Sequence, residues 1–255
     1  MKVDYHFHPN LPKSDKRARR KVAKIYSKLQ DAGIRCVIIT EHVYKNYRRA
    51  WQMMLEQKPA NISIFPGLEY VTKENIDICI FAETEKIYQH EFVPFKWTYE
   101  EVLAYLKQNT DIFGYVTHPL TLGQTSIVDK KGADFAKLAI SQLGAVEASY
   151  TALSKLKNII ISKKTLNRIK DNENLPQEFY PKNIKFLTTG SDAHHPWDIG
   201  MCTEVEEKSS VFDSIISNKS MKVVGKRDAT VIQTIRSILT VIHEWWLKIW
   251  YRLWK

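Results

Sequence analysis

Short apolar runs alternate along the chain with longer amphipathic ones. Residues Lys2–His8 carry apolar side chains at alternate positions, which predicts a strand. Ser14–Ala32 follows helical spacing. Val22, Ile25, Tyr26 and Leu29 lie on one face and Lys16, Arg17, Arg19, Arg20 and Lys24 on the other, with Ser14 or Asp15 as N-cap and Gly33 past the end. Ile34–Thr40 is an apolar run suited to a strand covered on both faces. Val43–Glu56 predicts a helix, Ile62–Tyr70 and Ile76–Phe81 strands, and Thr98–Lys107 a helix opened by a Thr98/Glu101 capping box. A strand at Ile112–Val116, a helix near Ala133–Leu143 and a strand at Ala145–Ser149 follow. Next come a basic helix at Leu153–Ile169, a polar loop at Asp171–Pro181 and a last core strand at Ile184–Thr189. Val211–Ser217 reads as a short helix and Lys222–Val224 as a short strand. Repeated strand–helix units predict an α/β protein with a parallel sheet or barrel.

The pattern changes near Asp228, dividing residues 1–228 from a C-terminal amphipathic helix over 229–255. In that helix Val231, Ile235, Ile238, Ile242, Trp245, Trp246, Ile249 and Leu253 form a wide apolar face, opposite Gln233, Arg236, Lys248, Arg252 and Lys255. Four of the seven tryptophans fall here, and Arg236, Glu244 and Lys248 break the run, which disfavours a spanning helix. The first half, to about Ile242, is expected to pack on the barrel. Residues 243–255 suit a membrane surface, self-association or a partner, or packing on the same domain.

The length of 255 residues suits one barrel-sized domain, and an apolar fraction of 44% is enough for a sizeable core. Cys36, Cys79 and Cys202 form no CxxC pair, which argues against a disulfide framework or a thiolate zinc site. With the first strand beginning at residue 2, no secretory signal is expected, and the compartment reads as cytoplasmic. The net charge of +10 favours polyanionic partners such as nucleic acid, anionic lipid or phosphorylated substrates.

The histidines carry the chemistry. Five of the eight stand at the ends of apolar runs: His6 and His8 in Asp4-Tyr5-His6-Phe7-His8, then Thr40-Glu41-His42, Thr117-His118-Pro119 and Ser191-Asp192-Ala193-His194. Gly67-Leu68-Glu69 ends another run in a carboxylate. Imidazole and carboxylate are the ligands that Zn, Mn and Fe prefer. His6 and His8, at i and i+2 of a strand, project to the same side and can reach one ion. Collected at strand ends, such residues predict a metal site at one mouth of an α/β barrel.

Asp4-x-His6-x-His8, Asp15, Thr40-x-His42, Gly67-x-Glu69, His118-Pro119 and Gly190-Ser191-Asp192-Ala193-His194 resemble, in order, the motifs of the PHP (polymerase and histidinol phosphatase) family, over roughly residues 2 to 204. The resemblance implies a distorted (β/α)7 TIM-like barrel. It also implies two or three divalent ions (Zn, Mn or Fe) and cleavage of phosphate esters by a metal-bound hydroxide. One ion would take His6, His8, Glu69 and Asp192. A second would share Glu69 and take His118. A third would take Asp15, His42 and His194. The family's usual histidine after Glu69 is missing, and Asp77, in an apolar alternation, is the substitute expected to bind metal unless it pairs with a basic side chain. Glu147 suits either a carboxylate orienting a histidine or a structural salt bridge.

Asp192 and His195 are the catalytic candidates. His195 could protonate the leaving group, the alternative being an exposed loop histidine. Lys45, Arg48 and Arg49 are candidates to grip a substrate phosphate, against the alternative of a solvated helix face. The expected activity is hydrolysis of a phosphorylated small molecule. The alternatives are a nuclease or nucleotide phosphatase, and a non-catalytic domain recruited to a membrane or partner through its C-terminal helix.

Overall fold

The computed structural model describes residues 1–121, 126–150, 162–220, 222–225 and 230–254. Its strands are β1 (Lys2–Phe7), β2 (Cys36–Ile39), β3 (Ser63–Val71), β4 (Asp77–Ala82), β5 (Ile112–Val116), β6 (Ala145–Tyr150), β7 (Phe186–Gly190), β8 (Cys202–Glu204) and β9 (Val223–Val224). Its helices are α1 (Asp15–Asp31), α2 (Tyr47–Glu56), α3 (Tyr99–Gln108), α4 (Ile127–Lys131), α5 (Ala133–Leu143), α6 (Lys163–Glu173), α7 (Val211–Ile216) and α8 (Val231–Trp254). The predicted 153–169 helix falls partly on residues 151–161, and the predicted boundary at Asp228 on 226–229, both outside the described residues.

The strands form one mixed sheet in the order β7-β6-β5-β4-β3-β2-β1-β8-β9, rolled into a nearly closed barrel. Strands β1 to β7 neighbour one another in chain order. The arrangement departs from a regular (β/α)7 repeat at β4, which runs antiparallel to both β3 and β5. The reason is local: Val71 and Asp77 face each other across a short hairpin, with no room for a crossover helix. This reversal places Asp77, the first residue of β4, at the same mouth as the last residues of β3.

The barrel closes where β7 meets β1. Asp192 N donates to His6 O at 2.8 Å and His8 N to Ala193 O at 3.1 Å. Gly190 permits this approach, since a Cβ there would lie 2.2 Å from His6 Cβ and 2.4 Å from His6 N. In β1 the register on β2 shifts between Asp4 and Phe7, so three steps of β1 match two of β2. Such a bulge changes the phase of alternation. Val3 before it and Tyr5 within it pack into the cluster of Cys36, Ile38, Cys79, Phe81, Tyr115 and Phe186, and His6, also within it, still faces Cys79. Phe212 and Ile215 of α7 join this cluster, and Tyr5 Oη donates to Ile215 O at 2.9 Å.

The helices cover the outer face. α1 buries the predicted Val22, Ile25, Tyr26 and Leu29, and the Thr98/Glu101 capping box opens α3. α2 starts four residues later than predicted because Asn46 caps it, accepting from Arg49 N. Residues 43–46 are therefore a turn that carries Tyr44 and Lys45 beside His42.

α8 lies on the barrel through a face other than its apolar one. A polar stripe of Ser237, Thr240, Glu244 and Lys248 docks instead, and Ile232, Ile235, Leu239, Ile242, Trp245, Trp246, Trp250 and Leu253 remain exposed. The cause is charge: Glu244 and Lys248 find buried groups of opposite sign at the mouth. No helix among the described residues is long and apolar enough to cross a membrane.

Candidate metal centre

The residues ending β1, β2, β3, β5 and β7 converge at one mouth. His6 Nε2 and His8 Nε2 are 3.0 Å apart, and Asp192 Oδ1 lies 3.1 Å from His8 Nε2 and 3.6 Å from His6 Nε2. Glu69 sits in the middle: Oε1 is 3.1 Å from His118 Nε2 and 3.6 Å from His6 Nε2, and Oε2 is 2.6 Å from His42 Nδ1. His42 Nε2 and His194 Nε2 are 3.3 Å apart. Three groups offer ligand atoms within 4.8 Å of one another: His8/His42/His194, His6/Glu69/His118 and His6/His8/Asp192. All of these residues lie in the buried mouth, and imidazole with carboxylate is a donor set suited to a borderline divalent cation. The buried His8 Nδ1 has no hydrogen-bond partner, as expected of a ring placed for ligation rather than for hydrogen bonding.

Outer carboxylates hold this set. Glu147 Oε1 is 3.2 Å from His6 Nδ1, and its Oε2 accepts from His118 N at 2.7 Å, so it orients two of the histidines. Asp4 accepts from Ser191 N at 2.9 Å and Ser191 Oγ at 2.6 Å, fixing the turn that presents Asp192 and His194. His118 and Asp192 have positive φ, 27° and 45°. Backbone strain of that kind costs on the order of 1–3 kcal/mol per residue and collects at functional sites.

The electrostatics ask for added positive charge. Burial alone would raise Glu69, Asp192 and Glu41, but His42 and His118 beside Glu69, His6 and His194 beside Asp192, and Lys45 beside Glu41 hold all three below the usual carboxylate range. Burial depresses the basicity of His6, His42 and His118. The surrounding groups, Glu147 and Asp192 around His6 and Glu69 beside the other two, outweigh it and raise all three. A divalent ion would satisfy the same demand that these imidazoles meet by holding protons.

The structure brings His6, His8, His42, Glu69, His118, Asp192 and His194 together. Asp15 is not among them. It is exposed at the start of α1 and accepts from Arg49 at 2.8 Å, so His8 rather than Asp15 joins His42 and His194. Asp77 is at the mouth but paired: Lys248 Nζ lies 2.8 and 2.7 Å from its two oxygens. Burial raises the Asp77 pKa, and Lys248 only partly opposes it. Of the phosphate-binding candidates only Lys45 reaches the centre, where it contacts Glu41, Glu244 and Asn10. Arg48 reaches out to His90 O, and Arg49 to Lys13 O and Asp15.

His195 stacks on Trp197 at 4.4 Å with Nε2 2.8 Å from Thr240 Oγ1. Burial and the nearby Lys21 cation bring its pKa down to about 4, which removes the proton a general acid needs near neutral pH. Three contributors went unassigned in the sequence: Glu41, 3.7 Å from His8 Nδ1, and Glu244 and Lys248 of α8. Glu41 was signalled by its place beside His42. Nothing in the local sequence of α8 signals the other two, whose partners His42, Lys45 and Asp77 are more than 150 residues away.

No protein-family model matches the chain, and no curated protein matches it. Among solved structures, PsfC from Pseudomonas syringae aligns with a TM-score of 0.59 at 17% identity, over 96% of this chain and 98% of that one. The lesion-specific endonuclease Q of Pyrococcus furiosus aligns with a TM-score of 0.52 at 15% identity, over 87% of this chain and 57% of that one. An endonuclease Q in complex with a 27-mer duplex substrate, an abasic lesion at its active site, gives 0.50 at 16% identity, over 84% and 54%. At these identities the likeness shows a shared fold. This chain spans little more than half the length of the endonuclease.

Proposed function

We propose that this chain is a metal-dependent phosphoric ester hydrolase of the PHP type. The observation that carries the reading is the convergence of His6, His8, His42, Glu69, His118, Asp192 and His194 at one barrel mouth. Two or three bound divalent ions (Zn, Mn or Fe) would acidify a water for attack and offset charge on the phosphoryl oxygens. Asp192 joins His6 and His8 in one ligand group, Glu69 stands between the groups, and Glu147 keeps His6 and the His118 backbone in place. Lys45 is the cation positioned to take up a substrate oxyanion. His195, neutral where it stands, would serve to bind and orient rather than to donate a proton.

A phosphorylated small molecule or nucleotide fits best, because α8 sets Glu244 and Lys248 down on the mouth residues His42, His194 and Asp77. Nucleic acid is the second reading, favoured by the net charge of +10 and by the fold shared with endonuclease Q. The exposed Trp245, Trp246, Trp250 and Leu253 support a peripheral membrane surface or self-association for the tail of a cytoplasmic protein. The test is hydrolysis by Zn- or Mn-loaded protein of a panel of phosphomonoesters, phosphodiesters, nucleotides and duplexes with and without an abasic site. His6→Ala serves as the baseline. Turnover of one class that vanishes in His6→Ala supports the reading. Wild-type protein that is loaded with metal and cleaves nothing in the panel sinks it in favour of a binding domain.

A further inference from the structure

The polar stripe of α8 carries a carboxylate into the histidine cluster. Glu244 Oε2 lies 2.7 Å from His194 Nε2 and 3.0 Å from His42 Nε2, and the two nitrogens are 3.3 Å apart. Neighbouring ligands around a tetrahedral zinc, with bonds of about 2.0–2.2 Å, stand roughly 3.3 Å apart. The tautomers point the same way. His194 Nδ1 is 3.0 Å from Asp192 O, a carbonyl that can only accept, so Nδ1 carries the hydrogen and a neutral ring turns its Nε2 lone pair toward Glu244. His42 Nδ1 lies at an ion-pair distance of 2.6 Å from Glu69 Oε2, and His42 Nε2 faces Glu244 Oε2 at 3.0 Å. Protons satisfy all three atoms only if both rings carry a hydrogen on Nε2, whereas one cation serves all three. The other Glu244 oxygen is held by Lys45.

We propose that Glu244 is a protein ligand of the ion held by His8, His42 and His194, so that the metal clasps α8 onto the barrel. The inference rests on the metal centre proposed above. Its register is set by the rest of the stripe: Ser237 on Asp198 at 2.9 Å, Thr240 on His195, and Lys248 on Asp77. With Glu244 in place the ion has four protein donors, a closed set. Release of Glu244 opens a coordination position for water or a phosphoryl oxygen.

The test uses full-length protein and Co²⁺ as a spectroscopic probe. Stoichiometry, affinity (by chelator competition) and the visible d–d spectrum are compared in wild type, Glu244→Gln and the exposed α8 control Arg252→Gln. Glu244→Gln is expected to weaken one equivalent at least about tenfold, as loss of even a ligand's supporting partner does, and to change the spectrum, while Arg252→Gln matches wild type. Unchanged affinity and spectrum in Glu244→Gln, with wild type binding normally, overturns the inference and leaves the metal-centre reading intact. Wild type that binds no metal overturns that reading, and the inference with it. Hydrogen exchange on wild-type protein needs no substitution. Backbone amides within 231–254 are expected to slow on metal loading, and equal exchange with and without bound metal rules the clasp out.

Discussion

Gly190→Ala tests whether closure of the barrel builds the site. The new Cβ would stand 2.2 Å from His6 Cβ, 2.4 Å from His6 N and 2.7 Å from His6 Cα. These are atoms of the backbone and its first carbon, so no rotamer change relieves the contact. β7 and β1 must part by about 1 Å to reach ordinary contact distance. That stretches Asp192 N to His6 O from 2.8 Å and His8 N to Ala193 O from 3.1 Å beyond hydrogen-bonding range. Overpacking costs about 1–3 kcal/mol, and two buried backbone bonds left unmade add about 1–3 each, so roughly 3–9 kcal/mol is expected. A domain is stable by about 5–15 kcal/mol, so the loss is large but measurable. Urea unfolding of the metal-free protein, followed by circular dichroism, gives the number. Metal stoichiometry of the same variant shows whether Asp192 still meets His6 and His8. Gly114→Ala, where the nearest atom is the flexible Leu106 Cδ1, is the control and should lose clearly less. A Gly190→Ala loss under about 1 kcal/mol with unchanged metal binding would refute the closure.

Three further outcomes are expected. In metal-free protein Lys248→Met leaves the Asp77 carboxylate buried without its cation and should cost about 3 kcal/mol by urea unfolding. Adding Asp77→Asn should recover most of that, and a double variant no better than the single removes the pair from the account. His195 has a folded pKa near 4, below the usual imidazole value of 6.5, so its neutral state adds stability above pH 6.5 that is lost as pH falls toward 4. His195→Gln should therefore flatten the stability profile in that window, and a profile parallel to wild type would contradict the burial argument. Full-length protein should float with anionic liposomes, and Trp246→Ala with Trp250→Ala should float less; equal flotation of the two proteins, or none by wild type, excludes the membrane role of the tail.

Much of the fold was legible because each signal was local. The 3.6-residue spacing of α1, the capping box of α3 and the apolar strands β2 and β5 depend on neighbours a few residues apart. The seven site residues that come together were legible as strand-end histidines and carboxylates. The reversal of β4 was not, because the hairpin after Val71 and a crossover leave similar apolar runs. Asp15 was misplaced because its place in the sequence matched the motif order, whereas as the first residue of α1 it faces outward and pairs with Arg49. The docking face of α8 was not legible, because an apolar face normally points inward. Here two buried charges, Glu244 and Lys248, outweigh it, and their partners Lys45 and Asp77 come from distant parts of the chain.

The central claim is that the histidine and carboxylate cluster holds divalent metal. Elemental mass spectrometry on wild type and His6→Ala, both purified without chelator and then equilibrated with Zn or Mn, tests it most directly. Wild type should carry two to three equivalents and His6→Ala at least one fewer, since His6 belongs to two of the three ligand groups. Less than about half an equivalent in wild type, or the same content in His6→Ala, would contradict the account.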